Sequence, residues 1–414
     1  MSDPERIQYL AERVSQQADS PDRRTHTIGF RGISIHPAVI RADMDFPRYR
    51  LGNGRTRRKQ EAYLANHPDV PRDLFEDPAS EQAQASQHEI LVEMAALERL
   101  EELLESEGQR EPLVTTYDGY VVNGNRRLAI LRKLGSVNWV DVAVLPRDAA
   151  PRDLAMLEMS LQMAQDGKAD YNWVDELLTI QNNIEVLGID KRQVAEAMHA
   201  YEKTINRKLH QLALVNLYLD ELGYPGEHYR VEGDEQAFET LAKADMSLRD
   251  AAKQANLRQF AFNMITHPKQ GSSVHRQIEV LVRSLDRSVV LLDGILATRD
   301  SGDASDDETT GDDTGTLLAG LDDDPSPAVV FDIAIDRETA AAIHEAVDVA
   351  SSLTDEARDA ARPLALAKQA AAALQSVRIT DDTSDIAALL GQLSAVEGRC
   401  AHIRAEVRRT KGEE

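Results

Sequence analysis

The sequence predicts an α+β N-terminal domain, an all-α middle domain and a C-terminal helical region reached through an acidic linker. Three observations carry this. Strand-like runs alternate with turns and one helix between residues 112 and 145. From Pro151 to about Thr298 the apolar residues keep helical spacing only. Residues 300–327 then combine Asp, Gly, Thr, Ser and Pro with few large apolar groups, the composition of a disordered linker. The expected divisions are 1–150, 151–299, 300–327 and 328–414.

In the first domain, Ile7, Leu10 and Val14 predict a helix over residues 3–20. A basic segment follows, with strand-like Ala38-Val39-Ile40 and a turn at Gly52-Asn53-Gly54. Residues 64–86 read as an insertion, loop-like from 66, and a helix is expected from His88 to Glu107. Pro112 to Thr115 is a strand, Asp118-Gly119 a turn, and Tyr120-Val121-Val122 a second strand. A Gly-containing loop leads into a helix from Arg126 to Leu134 that Gly135 can cap, and Trp139 to Leu145 is a third strand.

In the middle domain, Trp173, Leu177, Ile180, Ile184 and Leu187 make one apolar face. Asp190 and Gln193 form a capping-box-like start, with Val194, Ala195 and Met198 inward. Thr204 can cap a third helix whose core positions are Ile205, Leu209, Leu212 and Val215. The tail opens on strand-like Val329 to Ile333 and becomes Ala-rich helix. Its last helix carries Ile386, Leu389, Leu393, Val396, Cys400, Ile403 and Val407, a heptad seam predicting a partner helix within the chain and a homodimer.

The chain has 414 residues, with 47 basic and 71 acidic side chains and a formal charge of −24. The charge is uneven. Asp300 to Asp324 holds ten acids and no Lys or Arg, whereas Arg23 to Lys59 holds ten basic residues against Asp43 and Asp45. Overall acidity therefore does not argue against a nucleic-acid partner. The single cysteine excludes a disulfide framework and a cysteine-built zinc site. No apolar run approaches the ~20 residues of a membrane span, and the start lacks the pattern of a secretory signal, so a cytoplasmic location is expected. Walker, Rossmann and Ser-His-Asp signatures are missing, and the eleven histidines show no metal-ligand spacing.

The strongest chemical signal is Gly124-Asn125-Arg126-Arg127 between a strand and a helix. A glycine lets backbone N–H groups approach an anion, the helix start adds positive potential, and two arginines supply bidentate donors. The same residues also fit a plain turn whose arginines pair with acids of the following helix.

Gly108-Gln109-Arg110-Glu111-Pro112, followed by Asp118-Gly119-Tyr120 and Gly124-Asn125-Arg126-Arg127-Leu128-Ala129, resembles the N-terminal domain of the ParB family of partition proteins, of the ParB/sulfiredoxin fold. The likeness spans roughly residues 30–222. It implies that Gly124, Asn125, Arg126 and Arg127, with Gln109 and Glu111, bind a nucleoside triphosphate, CTP in well-studied members. The family's Glu after the glycine is Asn125 here, and its metal-binding Glu and Asn fall on Met159-Ser160, so the Mg²⁺ ligands are degenerate. Glu158 lies one residue, about 100° of helix, from the matching place. A sulfiredoxin nucleophile is excluded, because no thiol stands at the loop.

The family places a helix-turn-helix after its nucleotide domain, and residues 173–222 occupy that position. Asn206, Arg207, Lys208, His210 and Gln211 are expected on the exposed side of its third helix, as side chains that reach base edges and phosphates. A three-helix structural subdomain with a solvated basic face is the alternative. Arg55, Arg57 and Arg58, within the basic run Arg48 to Lys59, are a second phosphate contact or a solvated face. Met156, Met159 and Met163 read as core filling, and Cys400 as a buried inert thiol.

The reading that follows is a ParB-like, nucleotide-responsive, dimeric protein that binds double-stranded DNA. Its expected task is plasmid or chromosome partition or regulation of a mobile element, with a ParA-type ATPase as a partner. The alternative is a ParB-like nuclease or NTP-hydrolysing effector of a phage-defence or mobile-element system.

Overall fold

The computed structural model describes residues 3–52, 54–96, 100–164, 172–302, 330–377 and 386–410. Two compact units divide the chain, residues 1–351 and 352–414.

The first unit begins with α1 (Asp3–Ala18) and a hairpin, β1 (Ile28–Phe30) and β2 (Ile33–Ile35). Its two-residue turn holds Arg31 and Gly32 at φ 53° and 77°, the conformation that matches strand twist. A five-stranded sheet follows, in the order β3 (Val39–Asp43), β7 (Trp139–Val144), β5 (Leu113–Thr115), β6 (Tyr120–Asn123), β4 (Arg48–Tyr49). The β3–β7 and β5–β6 pairs are antiparallel, and β7–β5 and β6–β4 are parallel.

Both faces of this sheet are buried, and neighbouring residues divide between them with the two-residue strand period. Leu113, Val121, Val140 and Val142 join a core with α1, α2 (Arg57–Asn66), α3 (Glu81–Ala96), α4 (Leu100–Glu107) and α5 (Asn125–Leu134). Val114, Val122 and Ala143 meet the hairpin and α6 (Pro151–Ala164) on the other side. Gly135 ends α5 in the left-handed conformation, its N–H on the Leu131 carbonyl, as its sequence position predicts.

The expected loop over 66–86 is a loop only in part. A 3-10 turn at Leu74–Glu76 buries Leu74, and α3 begins at Glu81 with Ala83, Gln84, Ser86 and Gln87 buried. Its polar residues mislead because they are satisfied inside: Gln84 exchanges hydrogen bonds with the backbone of Tyr49, and Gln87 accepts one from Gln60.

Helices continue with α7 (Trp173–Gln181), a π turn (Asn182–Val186), α8 (Lys191–Ala197), α9 (Glu202–Glu221), α10 (Glu235–Ser247), α11 (Ala251–Thr266) and α12 (Val274–Gly302). Asp190 caps α8 by accepting from the Arg192 N–H, while Gln193 instead accepts from Arg152. The third helix starts two residues before the expected cap: Tyr201 precedes it without a side-chain cap, and Thr204 lies within its first turn. Met159 is buried and Met156 packs against the same cluster, as core-filling residues should; the side chain of Met163 lies outside the described residues.

The tail does not divide at residue 328. Residues 330–335 are extended without forming a strand, and Phe331 is buried beside Phe260. The next helix, α13 (Arg337–Ser376), then buries Ala342, Ile343, Ala346, Val347 and Ala350 in the core of α7 and α9–α12. The expected acidic linker lies, from residue 303, outside the described residues. In the second unit, the remainder of α13 and α14 (Ile386–Thr410) bury no residue, and Cys400 is exposed rather than buried. A heptad seam buries its residues only against a partner, and none of the described seam residues is buried. No helix among the described residues is long and apolar enough to cross a membrane.

Candidate functional site

Strand β6 ends at Asn123, and α5 begins two residues later. Between them Gly124 stands at φ 97°, a conformation that favours glycine, and a Cβ there would lie 2.6 Å from the Leu113 Cδ2. Leu113 is fully buried, so a Cβ would crowd it at this close strand-to-helix turn. The first turn of α5 has no side-chain cap, which leaves backbone donors and their partial positive charge at the corner.

This corner opens on a cleft, which Gly124, Asn125, Arg126 and Arg127 line together with Arg55, Thr56 and Glu158. Leu91, Met94, Leu100, Val122 and Leu161 supply its apolar wall. Arg55 thus shares one cleft with Gly124 and Arg126. Buried Asn125 donates through Nδ2 to the Val121 carbonyl at 3.0 Å, while its Oδ1 has no hydrogen-bond partner.

Arg127 is held by the segment before β5. It donates to the carbonyls of Glu111 and Pro112 at 3.1 and 3.3 Å and pairs with the Glu111 carboxylate at 3.1 Å. Burial draws the Arg127 pKa down, and Glu111 opposes that shift. Its partner therefore comes from the segment before β5, not from the following helix.

Glu111 serves Arg127, and Gln109 serves the sheet. Gln109 donates to the Asp141 carbonyl and accepts from the Asp141 N–H, both at 2.8 Å. Neither lines the cleft.

Glu158, which sequence position disfavours, stands in the cleft wall. Burial raises its pKa, opposed by Arg50 and Arg55, and Arg50 pairs with it at 2.7 Å. No sequence signal marks Glu158 beyond its one-residue offset, because the turn of α6 toward the cleft is a tertiary property. Ser160 donates to the Leu157 carbonyl and Met159 is buried, so neither offers the cleft a ligand.

The donor set fits a polyanion: Arg55, Arg126, Arg127 and the α5 start converge on one space. It fits Mg²⁺ poorly, since Glu158 is the one carboxylate among the lining residues and already meets Arg50. Among the described residues no group of three or more His, Cys, Asp or Glu side chains could hold a metal ion.

Helices α8 and α9 flank a turn, residues 198–201, in which His199 takes φ 50°. The two helices are thus joined by a short turn, with His199 in the left-handed conformation that favours glycine. The expected recognition residues do not share one exposed face. Asn206 is exposed and accepts from Lys191 Nζ at 2.9 Å, whereas Lys208 pairs with Glu176 of α7 at 2.7 Å. Arg207 is half-buried, 3.9 Å from Glu239. His210 meets Asp245 of α10 at 2.7 Å, and Gln211 is buried. The reason is that α9 packs against α7, α8 and α10, so its polar residues are taken up as interhelical contacts. The exposed side instead presents Lys203, Asn206 and Ala213, beside Lys191 and Arg192 of α8.

The basic run divides three ways. Arg55 lines the cleft, Arg57 is half-exposed near Glu61, and Arg58 is buried between Asp175 and Glu232. Arg58 is thus held inside by two carboxylates.

No family model and no curated protein matches the chain. Among solved structures it is similar to the C-terminally truncated chromosome-partitioning protein ParB from Caulobacter crescentus, in a crystal structure complexed to the centromeric parS site. That similarity has a TM-score of 0.33 and 17 % identity, and it covers 59 % of this chain and 98 % of that chain.

Proposed function

We propose that the chain is a ParB-like DNA-binding protein whose N-terminal cleft takes a nucleoside triphosphate, CTP first, in plasmid or chromosome partition or in control of a mobile element. The observation that carries this is the convergence of the uncapped α5 start, Arg126 and Arg55 on one cleft, behind a glycine at positive φ whose Cβ would crowd buried Leu113. The motif resemblance around Gly124 and the short turn between α8 and α9 support it. The exposed seam of α14 supports a homodimer, and a ParA-type ATPase is the partner to try first.

Calorimetric titration with the four triphosphates, with and without Mg²⁺ and DNA, tests the reading. Each charge-assisted contact contributes about 1.5–3 kcal/mol, so Arg126→Ala should weaken binding roughly ten- to a hundredfold. No heat with any nucleotide in the wild type would sink it. Glu158 favours a second reading, the NTP-hydrolysing effector, because a buried carboxylate with a raised pKa in a cleft can act as a general acid or base. Turnover that Glu158→Gln removes without loss of binding would select that reading.

A further inference from the structure

A second cleft is also lined by Glu158, and the nucleotide reading makes no use of it. Its lining comes from Arg50 to Gly52, Gly54, α2, α6, and α7 with its π turn. Arg50, Arg57, Gln60, Asn182 and Asn183 bring its nitrogen donors, while Phe75 and Leu178 supply apolar surface. Glu158 is the single carboxylate among the lining residues, and it already pairs with Arg50.

Asn183 is the telling residue. It is 2 % exposed, yet its Nδ2 donates to nothing. An unpaired buried amide costs about 1–3 kcal/mol, so a protein rarely keeps one without an acceptor to meet it. The residue sits in a π turn, closed by the Leu187 N–H on the Asn182 carbonyl at 3.0 Å, a distortion frequent at functional sites. Arg57 is half-exposed, with Glu61 no nearer than 3.6 Å, so its guanidinium retains donors for a ligand.

We propose that this second cleft is a binding site for a small polyanion, bearing phosphoryl or carboxylate oxygens, held by Arg57 and Asn183. The site is separate from the Gly124 corner and does not depend on what binds there. The two clefts share Glu158, while Arg55 and Thr56 line the first and Gly54 and Arg57 line the second.

The test is calorimetric titration of the full chain with pyrophosphate in one arm and succinate in the other, without nucleotide. Binding of either should survive Arg126→Ala and fall at least tenfold in Arg57→Gln and in Asn183→Leu. Arg57→Gln alters a half-exposed side chain, so it keeps the test sound should Asn183→Leu not fold. Loss in Arg126→Ala alone would mean that the probe binds only at the corner, and would overturn the second site. Absence of heat from both probes at millimolar concentration would overturn it too. If the corner binds nothing, the wild type shows a single site that is blind to Arg126→Ala and lost in Arg57→Gln, which upholds this proposal while refuting the nucleotide reading.

Discussion

Arg58 and Asp175 lie 3.7 Å apart, Nε to Oδ2, with side chains only 6 % and 3 % exposed, and they join α2 of the α+β half to α7 of the helical half. Arg58 reaches further, to Glu232 at 2.5 Å, and the neighbouring Glu61 meets His228 at 3.1 Å. Helix α2 follows directly on Arg55 and Thr56 of the first cleft, so a polar contact set ties that cleft to α7. Breaking a buried pair by removing one partner is costly, which makes this junction stiff.

Stability should fall as pH rises from about 4 to about 7. Burial pushes the Asp175 carboxyl up to about 7, against the pull of Arg58. The folded state then holds a proton that the unfolded state releases near its ordinary pKa of about 3.9, so the favourable difference is lost between those values. Urea unfolding should show a loss of roughly 2–3 kcal/mol between pH 5 and pH 7.5 from this group. Asp175→Asn should lack that slope. Equal slopes would show that Asp175 is already ionised at pH 5.

Gly124→Ala should destabilise far more than Gly135→Ala. Both positions are left-handed, but a Cβ at 135 meets nothing within 4 Å, whereas one at 124 strikes Leu113. Expected losses are about 1 kcal/mol at 135 and roughly 2–4 kcal/mol at 124. Equal midpoints in urea would refute the crowding at the corner.

Duplex DNA binding should depend on Lys203 and Asn206 more than on His210 or Gln211. Lys203→Ala should weaken binding and lower the salt slope by about one. His210→Ala should instead lower the melting temperature, because it strips a partner from fully buried Asp245 and leaves Arg258 alone with it. Unchanged binding in Lys203→Ala/Asn206→Ala, with the fold intact, would move the DNA contact elsewhere.

The seam of α14 should dimerise. Ile386, Val396, Ile403 and Val407 are exposed in the single chain, and Cys400 stands in register with them. If two copies pair in parallel, mild oxidation should yield a covalent dimer that Cys400→Ser abolishes. Sedimentation as a monomer at micromolar concentration would refute the dimer itself.

Local pattern was enough for the Gly124 corner. Strand alternation, one glycine and the Arg126-Arg127 pair lie within ten residues, and the turn geometry follows from them. Helices α8 and α9 were equally legible, since Val194, Ala195, Ile205, Leu212 and Val215 keep a 3.6-residue period and are all buried.

Tertiary structure alone decided which polar residues serve the surface. Lys208, His210 and Gln211 read as a solvated face because periodicity marks one apolar stripe. A helix gripped by three neighbours also buries polar positions, and their partners, Glu176 and Asp245, stand 32 and 35 residues away. Glu158 shows the same thing: its own helix does not say that Arg50, 108 residues earlier, will hold it between two clefts. Residues 330–350 were assigned to the tail because composition changes at the acidic segment. They belong to the first unit because Phe331 and the Ala-rich turns of α13 fill its apolar core, and burial depends on what packs there rather than on order along the chain.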